Sequence, residues 1–215
     1  MTVFQKLSWM HQMGIRCLCG EQAHPLEKKI PLSEKHSLAD LDKRLVSSKS
    51  SLSATATHPL GGYGVNPATL MCILESPSAE EDRTGVPLSG SEGDLLKKML
   101  SAIGLDTNIQ TYVGYLSPWR APGARTLTSL ETQEGLNLLN ERIRAVQPKV
   151  LFLLGAPVAQ AILHLPLGQA RAKVKEYMEL PVFTTFAPGF LLKNPTYKKG
   201  AWEDLKKLQA FLTSL

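Results

Sequence analysis

Four short apolar runs, separated by polar stretches rich in glycine and proline, divide the chain from about residue 68 onward. Each run has the length of a buried strand and is too short for a buried helix. The predicted strands are residues 70–74, 109–116, 149–154 and 182–186. These runs therefore predict the strands of one buried sheet.

Between the strands, apolar residues recur every three or four positions, which is the period of a helix with one buried face. The clearest example is the segment 93–103, which Gly104 ends. Its apolar face consists of Leu95, Leu96, Met99, Leu100 and Ile103. Further helices are predicted from Thr128 to about residue 145, over 157–163 and over 200–212. Because strands alternate with helices, we predict an α/β fold, a three-layer α/β/α sandwich with a central, mainly parallel four-stranded sheet.

The first 65 residues show little of this pattern. The spacing of Phe4, Leu7 and Met10 predicts a short helix within residues 1–20, and a second short helix is predicted near 37–45. Elsewhere Ser, Thr, Lys, Gly and Pro dominate, a composition typical of linkers. We therefore divide the chain into an N-terminal arm, residues 1–65, with a short helix and a poorly ordered linker, and a domain of residues 66–215.

The length and composition allow one core, since the chain has 215 residues of which 43% are hydrophobic. No apolar stretch approaches the ~18 residues of a membrane span. The N-terminus lacks the continuous apolar segment of a secretory signal. The three cysteines, Cys17, Cys19 and Cys72, are sparse and odd in number, which indicates a reducing, cytoplasmic location. We expect a monomer that does not bind membranes.

The formal net charge of +5 comes from the two ends of the chain. Residues 1–65 contain eight basic and five acidic side chains, and residues 193–215 contain five and two. Residues 66–192 are nearly neutral, with eleven basic and twelve acidic side chains. A mildly basic chain is compatible with a polyanionic partner such as nucleic acid, and does not by itself identify one.

Three polar loops follow predicted strands, at residues 75–93, 117–125 and 187–197. The carboxyl ends of parallel strands meet at one edge of a sheet, and ligands bind there. We therefore expect these three loops to form one pocket.

The loop after the first strand reads ESPSAEEDRTGVPLSGSEG from Glu75 to Gly93. It resembles the first motif of the uracil-DNA glycosylase superfamily, nearest to its family 4, which reads G-E-x-P-G-x-x-E-D-x-x-G-x-P-F-x-G-x-x-G. Residues 112–126 (YVGYLSPWRAPGART) resemble the family's strand that ends in Asn and its R-P-P-G-N-R-T loop. Residues 146–162 resemble its R-P-K block, and residues 186–195 (FAPGFLLKNP) resemble its last motif, H-P-S/A-x-L-L-R-x-P. The resemblance implies a uracil-DNA glycosylase-like fold for residues 66–215.

The resemblance also implies a reaction, which is hydrolysis of the bond joining uracil to deoxyribose after the base flips into a pocket. In the family, an aromatic ring stacks on the base and an amide forms hydrogen bonds with its edge. An imidazole stabilises the negative charge on the departing uracil, and the first motif positions water. By this resemblance Glu75 is the catalytic, water-positioning residue, and a structural role in holding the loop is equally open. The implied base pocket consists of Pro77, Ser78, Leu88, Tyr115 and Ala187.

Several pocket positions depart from the family pattern. Leu88 stands in place of the stacking Phe, Tyr115 in place of the edge-reading Asn, and Ala187 in place of the His. Loss of the amide and of the imidazole is each expected to cost about 2–4 kcal/mol of transition-state stabilisation. We interpret Tyr115 as a pocket plug or core aromatic rather than a new base reader. Ordinary uracil excision should therefore be severely weakened.

The residues that the resemblance places against DNA are Arg120, Arg125, Leu191, Leu192 and Lys193. The two arginines flank a Pro/Gly loop and either contact phosphates or remain solvated. The two leucines form an apolar wedge for a DNA groove, with Lys193 beside the phosphates, or else anchor the last helix. The predicted partner is DNA, as a single strand or a damaged duplex.

The cysteines decide the cofactor prediction. Family 4 members hold an iron–sulfur cluster through four cysteines, two of them near the second block. Trp119 stands at one of those positions, and no cysteine follows Cys72. Cys17 and Cys19 are separated by one residue, and three thiols do not supply four ligands. We therefore predict no iron–sulfur cluster, no metal and no other cofactor.

These observations predict a DNA-repair protein that hydrolyses the N-glycosidic bond of a deaminated base flipped out of DNA. The alternative is a catalytically inactive descendant that binds DNA or a protein through the same face, so whether the chain is an enzyme stays open. A weaker third interpretation is a hydrolase of free nucleobases or nucleotides. If Tyr115 and Leu88 fill the space between the three loops, a flipped base has no room to enter.

Overall fold

The computed structural model of the chain describes residues 37–48 and 50–215. The helix predicted within residues 1–20 and the thiols of Cys17 and Cys19 lie outside these residues. Among the helices of the described part, none combines the length and apolarity needed to cross a membrane.

A six-stranded sheet forms the centre of the fold. In chain order its strands are β1 (Gly62–Gly64), β2 (Leu70–Leu74), β3 (Thr111–Tyr115), β4 (Val150–Leu154), β5 (Lys175–Tyr177) and β6 (Leu180–Thr185). Their spatial order is β1-β3-β2-β4-β6-β5. The inner four strands run parallel, and the two edge strands are antiparallel to their neighbours. In the register of the sheet, Cys72 of β2 lies between Val113 of β3 and Phe152 of β4.

Eight helices accompany this sheet within the described residues. They are α1 (Leu38–Ser47), α2 (Ala79–Thr84), α3 (Gly90–Ser101), α4 (Ser129–Val146), α5 (Ala156–Leu163), α6 (Leu167–Ala172), α7 (Pro188–Lys193) and α8 (Lys198–Thr213). Helices α3 and α8 pack on one face of the sheet, against Cys72 and Phe152. Helices α4 and α5 pack on the other, against Met71 and Leu151. Both faces are covered, so the two central strands, β2 and β4, are continuous hydrophobic runs.

The predicted three-layer α/β/α sandwich is confirmed, with six strands instead of four. The two additional strands, β1 and β5, are only three residues long and read GYG and KEY. Neither contains the apolar run, or the alternation of apolar and polar residues, by which a strand is recognised in a sequence. Their antiparallel pairing with the parallel core places them at the two edges, where one side of the strand lacks a neighbour.

Helix α1 packs along α4 and corresponds to the helix predicted near residues 37–45. Its first turn is capped by the hydroxyl of Ser37, as expected for a serine that precedes an apolar-periodic segment. The buried guanidinium of Arg142 on α4 donates hydrogen bonds to Asp42 of α1 at 2.6 Å and to the Tyr112 hydroxyl at 2.8 Å. An ion pair and an apolar contact surface thus attach α1 to the domain.

Residues 50–60, here called the strap, connect α1 to the sheet. The Leu60 N–H donates to the Pro118 carbonyl at 2.8 Å, in the loop after β3. The Thr57 N–H donates to the Asp82 carboxylate at 2.9 Å, in helix α2. The strap therefore contacts the loops that follow both β2 and β3. Strand β1 precedes residue 66 and belongs to the sheet, and the division of the chain at residue 65 stays a prediction.

Candidate functional site

The carboxyl ends of β2, β3, β4 and β6 lie at one edge of the sheet, as their parallel order requires. The pairing of β2 with β3 continues one step into the loops, because the Ser117 N–H donates to the Glu75 carbonyl at 2.8 Å. Beyond β6, Ala187 lies close to Gly155 at the end of β4. The loops after these strands are therefore neighbours, and they form the candidate site.

The carboxylate of Glu81 lies at the centre of this site and is buried. It accepts hydrogen bonds from the backbone N–H groups of Ser78 and Leu88, both at 2.7 Å, and from the Tyr115 hydroxyl at 2.6 Å. The Ser78 hydroxyl in turn accepts from the Glu81 N–H, which completes the capping box that begins α2. One side chain thus joins both parts of the loop after β2 to the end of β3.

Tyr115 fills the space beside Glu81. Its exposed fraction is 3%, and burial together with the neighbouring Glu81 carboxylate raises the pKa of its hydroxyl. The hydroxyl therefore stays protonated and donates to that carboxylate. Leu88 is also buried, and its backbone is held at a φ of 57° by Glu81 on the N–H and by Lys97 on the carbonyl.

The cavity that remains next to these side chains is small. It lies between Ser76, Glu81, Leu88 and Pro188 and has a volume of about 10 Å³. That volume holds about one water molecule. This cavity has no room for the ring of a nucleobase.

Glu75, the predicted catalytic residue, lies directly after β2 and is half-buried. Burial raises the pKa of its carboxyl group, and a hydrogen bond with the backbone of Leu127 acts in the opposite direction. That hydrogen bond ties the end of β2 to the segment ahead of α4, which is a loop-holding contact. A role of Glu75 in a reaction stays a prediction.

The two arginines predicted to contact DNA bind groups of the protein in this structure. Arg120 donates to the Pro77 carbonyl at 2.8 Å and so connects the loop after β3 to the loop after β2. Arg125 donates twice to the Glu131 carboxylate, at 2.7 and 2.8 Å. These bonds, with that from the Thr128 N–H, lower the pKa of the Glu131 carboxyl to about 2. Contact of either arginine with phosphate stays a prediction.

Helix α7 contains the remaining predicted DNA contacts. Leu191 is buried in the core beside α3 and α8, whereas Leu192 and Lys193 are exposed. Phe190, which was not among the predicted contacts, is exposed as well. Consecutive residues of a helix point about 100° apart, so one of two adjacent leucines faces the core. Ala187 precedes the helix and has no side-chain group that caps it.

Among residues 37–48 and 50–215, no set of side chains fits an iron–sulfur cluster, and its absence from the chain stays a prediction. Trp119 is buried in a small apolar cluster with Leu45 of α1 and Leu52 of the strap. The thiol that the structure describes, Cys72, is enclosed in the core of β2, and burial raises its pKa. The described residues contain no group of three or more His, Cys, Asp or Glu side chains placed to hold a metal ion. The loop after β3 is therefore held by an apolar contact at Trp119.

A sequence model of the family described as "Uracil DNA glycosylase superfamily" matches residues 62–206, which is more than half of the chain. The chain belongs to the uracil DNA glycosylase superfamily. Curated relatives named type-4 uracil-DNA glycosylase agree with this membership. The protein from Archaeoglobus fulgidus is 28% identical over 183 residues, which cover 80% of this chain and 92% of that protein.

Two further relatives with the same name come from Sulfurisphaera tokodaii and Thermotoga maritima. They are 28% and 26% identical, over 71% and 73% of this chain and 74% and 84% of their own lengths. The resemblance to the superfamily, nearest to its type-4 members, is thereby confirmed. Within the superfamily this chain is a divergent member whose sequence contains three cysteines, and the correspondence of Tyr115 and Ala187 to positions that bear on the reaction stays a prediction.

The central position of Glu81 is not apparent from the sequence. The triplet Glu80-Glu81-Asp82 has the composition of a solvated acidic turn, and Glu81 is instead buried with three hydrogen-bond donors. The pattern of Ser78 followed three residues later by Glu81 is a capping-box signal, and it marked the start of a helix there. No sequence signal showed that a tyrosine from another strand would donate to the same carboxylate.

Proposed function

We propose that this chain is a DNA-repair protein that binds DNA at the carboxyl edge of its sheet and does not excise uracil in the conformation described. The observation that carries the proposal is the hydrogen bond from the Tyr115 hydroxyl to the Glu81 carboxylate, 2.6 Å long and buried. Support for a repair function comes from membership of the superfamily and from relatives named type-4 uracil-DNA glycosylase.

The chemistry of base excision explains why this contact matters. A flipped base must enter a pocket, have its edge read by hydrogen bonds, and leave with negative charge that donors stabilise. Tyr115 takes up the space of the pocket, and its hydroxyl hydrogen is already donated to Glu81. Ala187 offers no donor to the departing base. Each missing donor is expected to cost about 2–4 kcal/mol of transition-state stabilisation.

DNA binding itself does not require an open pocket. Contacts with phosphates supply most of the affinity of many DNA-binding proteins, and they need exposed basic groups rather than a cavity. Lys193 is exposed at the end of α7, the helix whose first residue, Pro188, lines the small cavity of the candidate site. We propose a single strand or a damaged duplex as the partner. The cytoplasmic location and the monomeric state stay predictions.

The test is the salt dependence of DNA binding. Anisotropy of a fluorescently labelled single-stranded oligonucleotide, measured over a series of salt concentrations, gives the number of phosphate contacts from the slope of log K against log salt. Replacement of Lys193 by Gln should weaken binding and reduce the slope by about 1. The control is Lys43→Gln, an exposed lysine of α1, which packs on the opposite layer. Absence of binding at low salt would refute the proposal.

The second candidate function is hydrolysis of a different deaminated base. It is favoured by Glu75, a half-buried carboxyl group with a raised pKa at the end of β2. Single-stranded and mismatched oligonucleotides that contain hypoxanthine or xanthine are incubated with the protein, and abasic sites are then cleaved. Release that is lost in Glu75→Ala supports an enzyme, and DNA binding without release supports the inactive descendant.

A further inference from the structure

Three aromatic rings pack together where β6 ends and α7 and α8 meet. The rings of Phe186 and Phe190 are nearly parallel, with centroids 5.5 Å apart. The Tyr197 ring meets both edge-on, at 5.1 Å from Phe186 and 5.0 Å from Phe190. Phe186 is buried, whereas the exposed fractions of Phe190 and Tyr197 are 40% and 47%. These two residues, here called the aromatic platform, thus present apolar ring surface to solvent.

The platform rests on a rigid base. The Arg171 guanidinium lies over the Phe186 ring at 3.9 Å from its centroid. Arg171 also donates to the Asp204 carboxylate at 2.6 Å and to the Gly200 carbonyl at 3.0 Å. Asp204 is buried and accepts a further hydrogen bond from Thr185 at the end of β6. The inner ring is therefore held between the sheet and α8, so the outer rings are positioned before any ligand arrives.

The charged side chains of residues 190–199 are all lysines, and one carboxylate from another element, that of Glu92 in α3, lies against Gly189. Lys193 lies between the two platform residues along the chain, Lys198 and Lys199 follow Tyr197, and all three are exposed. Lys193 and Lys198 make no ion pair with any residue that the structure describes. The nearest exposed acid of α8, Glu203, is paired with Lys206 at 2.8 Å. Apolar rings flanked by unpaired lysines are complementary to a strand of unpaired bases on a phosphate backbone.

We propose that Phe190 and Tyr197 form a stacking surface for an unpaired base of single-stranded DNA, with Lys193 and Lys198 beside the neighbouring phosphates. The proposal rests on the DNA-binding function proposed above and specifies where the strand binds. The surface lies outside the pocket that Tyr115 fills, so a base stacks there without being flipped into the fold. Leu191, interpreted from the sequence with Leu192 as either a DNA wedge or an anchor of the last helix, is buried and does not reach this surface.

The experiment compares two strands and three variants of the full chain. One strand is a labelled oligothymidylate, and the other has the same length and phosphates but a stable abasic residue at every position. Tyr197→Ala should weaken binding to the thymidylate strand about tenfold, which is the usual loss when one stacked base loses its ring. It should leave binding to the abasic strand unchanged. Tyr197→Phe keeps the ring and should bind both strands like wild type.

The matched control is Tyr63→Ala. Tyr63 is an exposed tyrosine of edge strand β1, on the other side of the sheet order from β6. It should bind both strands like wild type. If Tyr197→Ala weakened binding to both strands equally, or weakened binding to neither, the stacking surface would be overturned while the proposed DNA binding would stand. Wild-type protein that binds neither strand at low salt would overturn the proposed function itself. A wild-type dimer that Tyr197→Ala converts to a monomer would show that a second copy occupies the platform, and would overturn the inference.

Discussion

Replacement of Tyr115 by phenylalanine removes the hydroxyl that closes the pocket and leaves the ring in place. The lost hydrogen bond joins the hydroxyl to the buried Glu81 carboxylate over 2.6 Å. A hydrogen bond to a charged group contributes about 1.5–3 kcal/mol to the free energy of unfolding. Glu81 keeps its two backbone donors, from Ser78 and Leu88, so the rest of the loop stays attached. The loss should therefore be confined to that one bond.

In a domain of this size each kcal/mol shifts the melting temperature by about 2–4 °C. Tyr115→Phe should accordingly melt about 3–12 °C below wild type. The matched control is Tyr63→Phe, which removes a hydroxyl bonded to Asn108 at 2.7 Å on a residue that is 42% exposed. Its unfolding free energy should stay within about 0.5 kcal/mol of wild type. If the two variants melted together, Tyr115 would not be bound to a buried carboxylate and the closed pocket would be refuted.

Three further predictions concern the strap and the loops. Trp119→Ala removes a buried ring and should lower the free energy of unfolding, measured in urea, by about 3–5 kcal/mol, and the strap should be cleaved faster by protease. The control is Trp202→Ala, which removes a partly exposed ring and should lower that free energy far less. Equal losses of stability in the two variants would contradict the burial of Trp119 in its cluster. The folded pKa of Glu131 is about 2, below its ordinary value of 4.5, so its contribution to stability is complete above 4.5 and is lost as the pH falls toward 2. Glu131→Gln should flatten that part of the stability–pH curve, and an unchanged curve would contradict the ion pair. Asp82→Ala should accelerate hydrogen exchange at the Thr57 amide, and unchanged exchange there would contradict the contact of the strap with α2.

The inner strands were predictable because both faces of each are buried. Strands β2 and β4 are then five apolar residues in a row, a pattern that predicts a buried strand. The edge strands were not predictable, since each has three residues and is recognised only once a neighbour offers its hydrogen bonds. The start of helix α4 was predictable, because Thr128 and Glu131 form a capping box before an apolar-periodic segment.

The site was predictable in its location and less so in its contacts. Parallel strands place their carboxyl ends together, so the three loops had to be neighbours. Which side chains face one another across those loops depends on tertiary packing. The phase of the short helix α7 decides that Leu191 is buried and Phe190 is exposed, and a six-residue helix is too short for its periodicity to reveal this. The hydrogen bond between Tyr115 and Glu81 joins residues 34 apart in sequence, so no local sequence pattern predicts it.

Whether Tyr115 closes the base pocket is tested most directly by measuring uracil release from a DNA strand that is bound to the protein. The protein is kept in excess over a single-stranded oligonucleotide that contains one uracil, anisotropy confirms in the same solution that the strand is bound, and abasic sites are then cleaved and counted. With the pocket closed by Tyr115, the count should equal that of a sample without protein. If the wild-type chain released uracil and Glu75→Gln did not, the pocket would admit a base, and the closure of the pocket by Tyr115 would be contradicted.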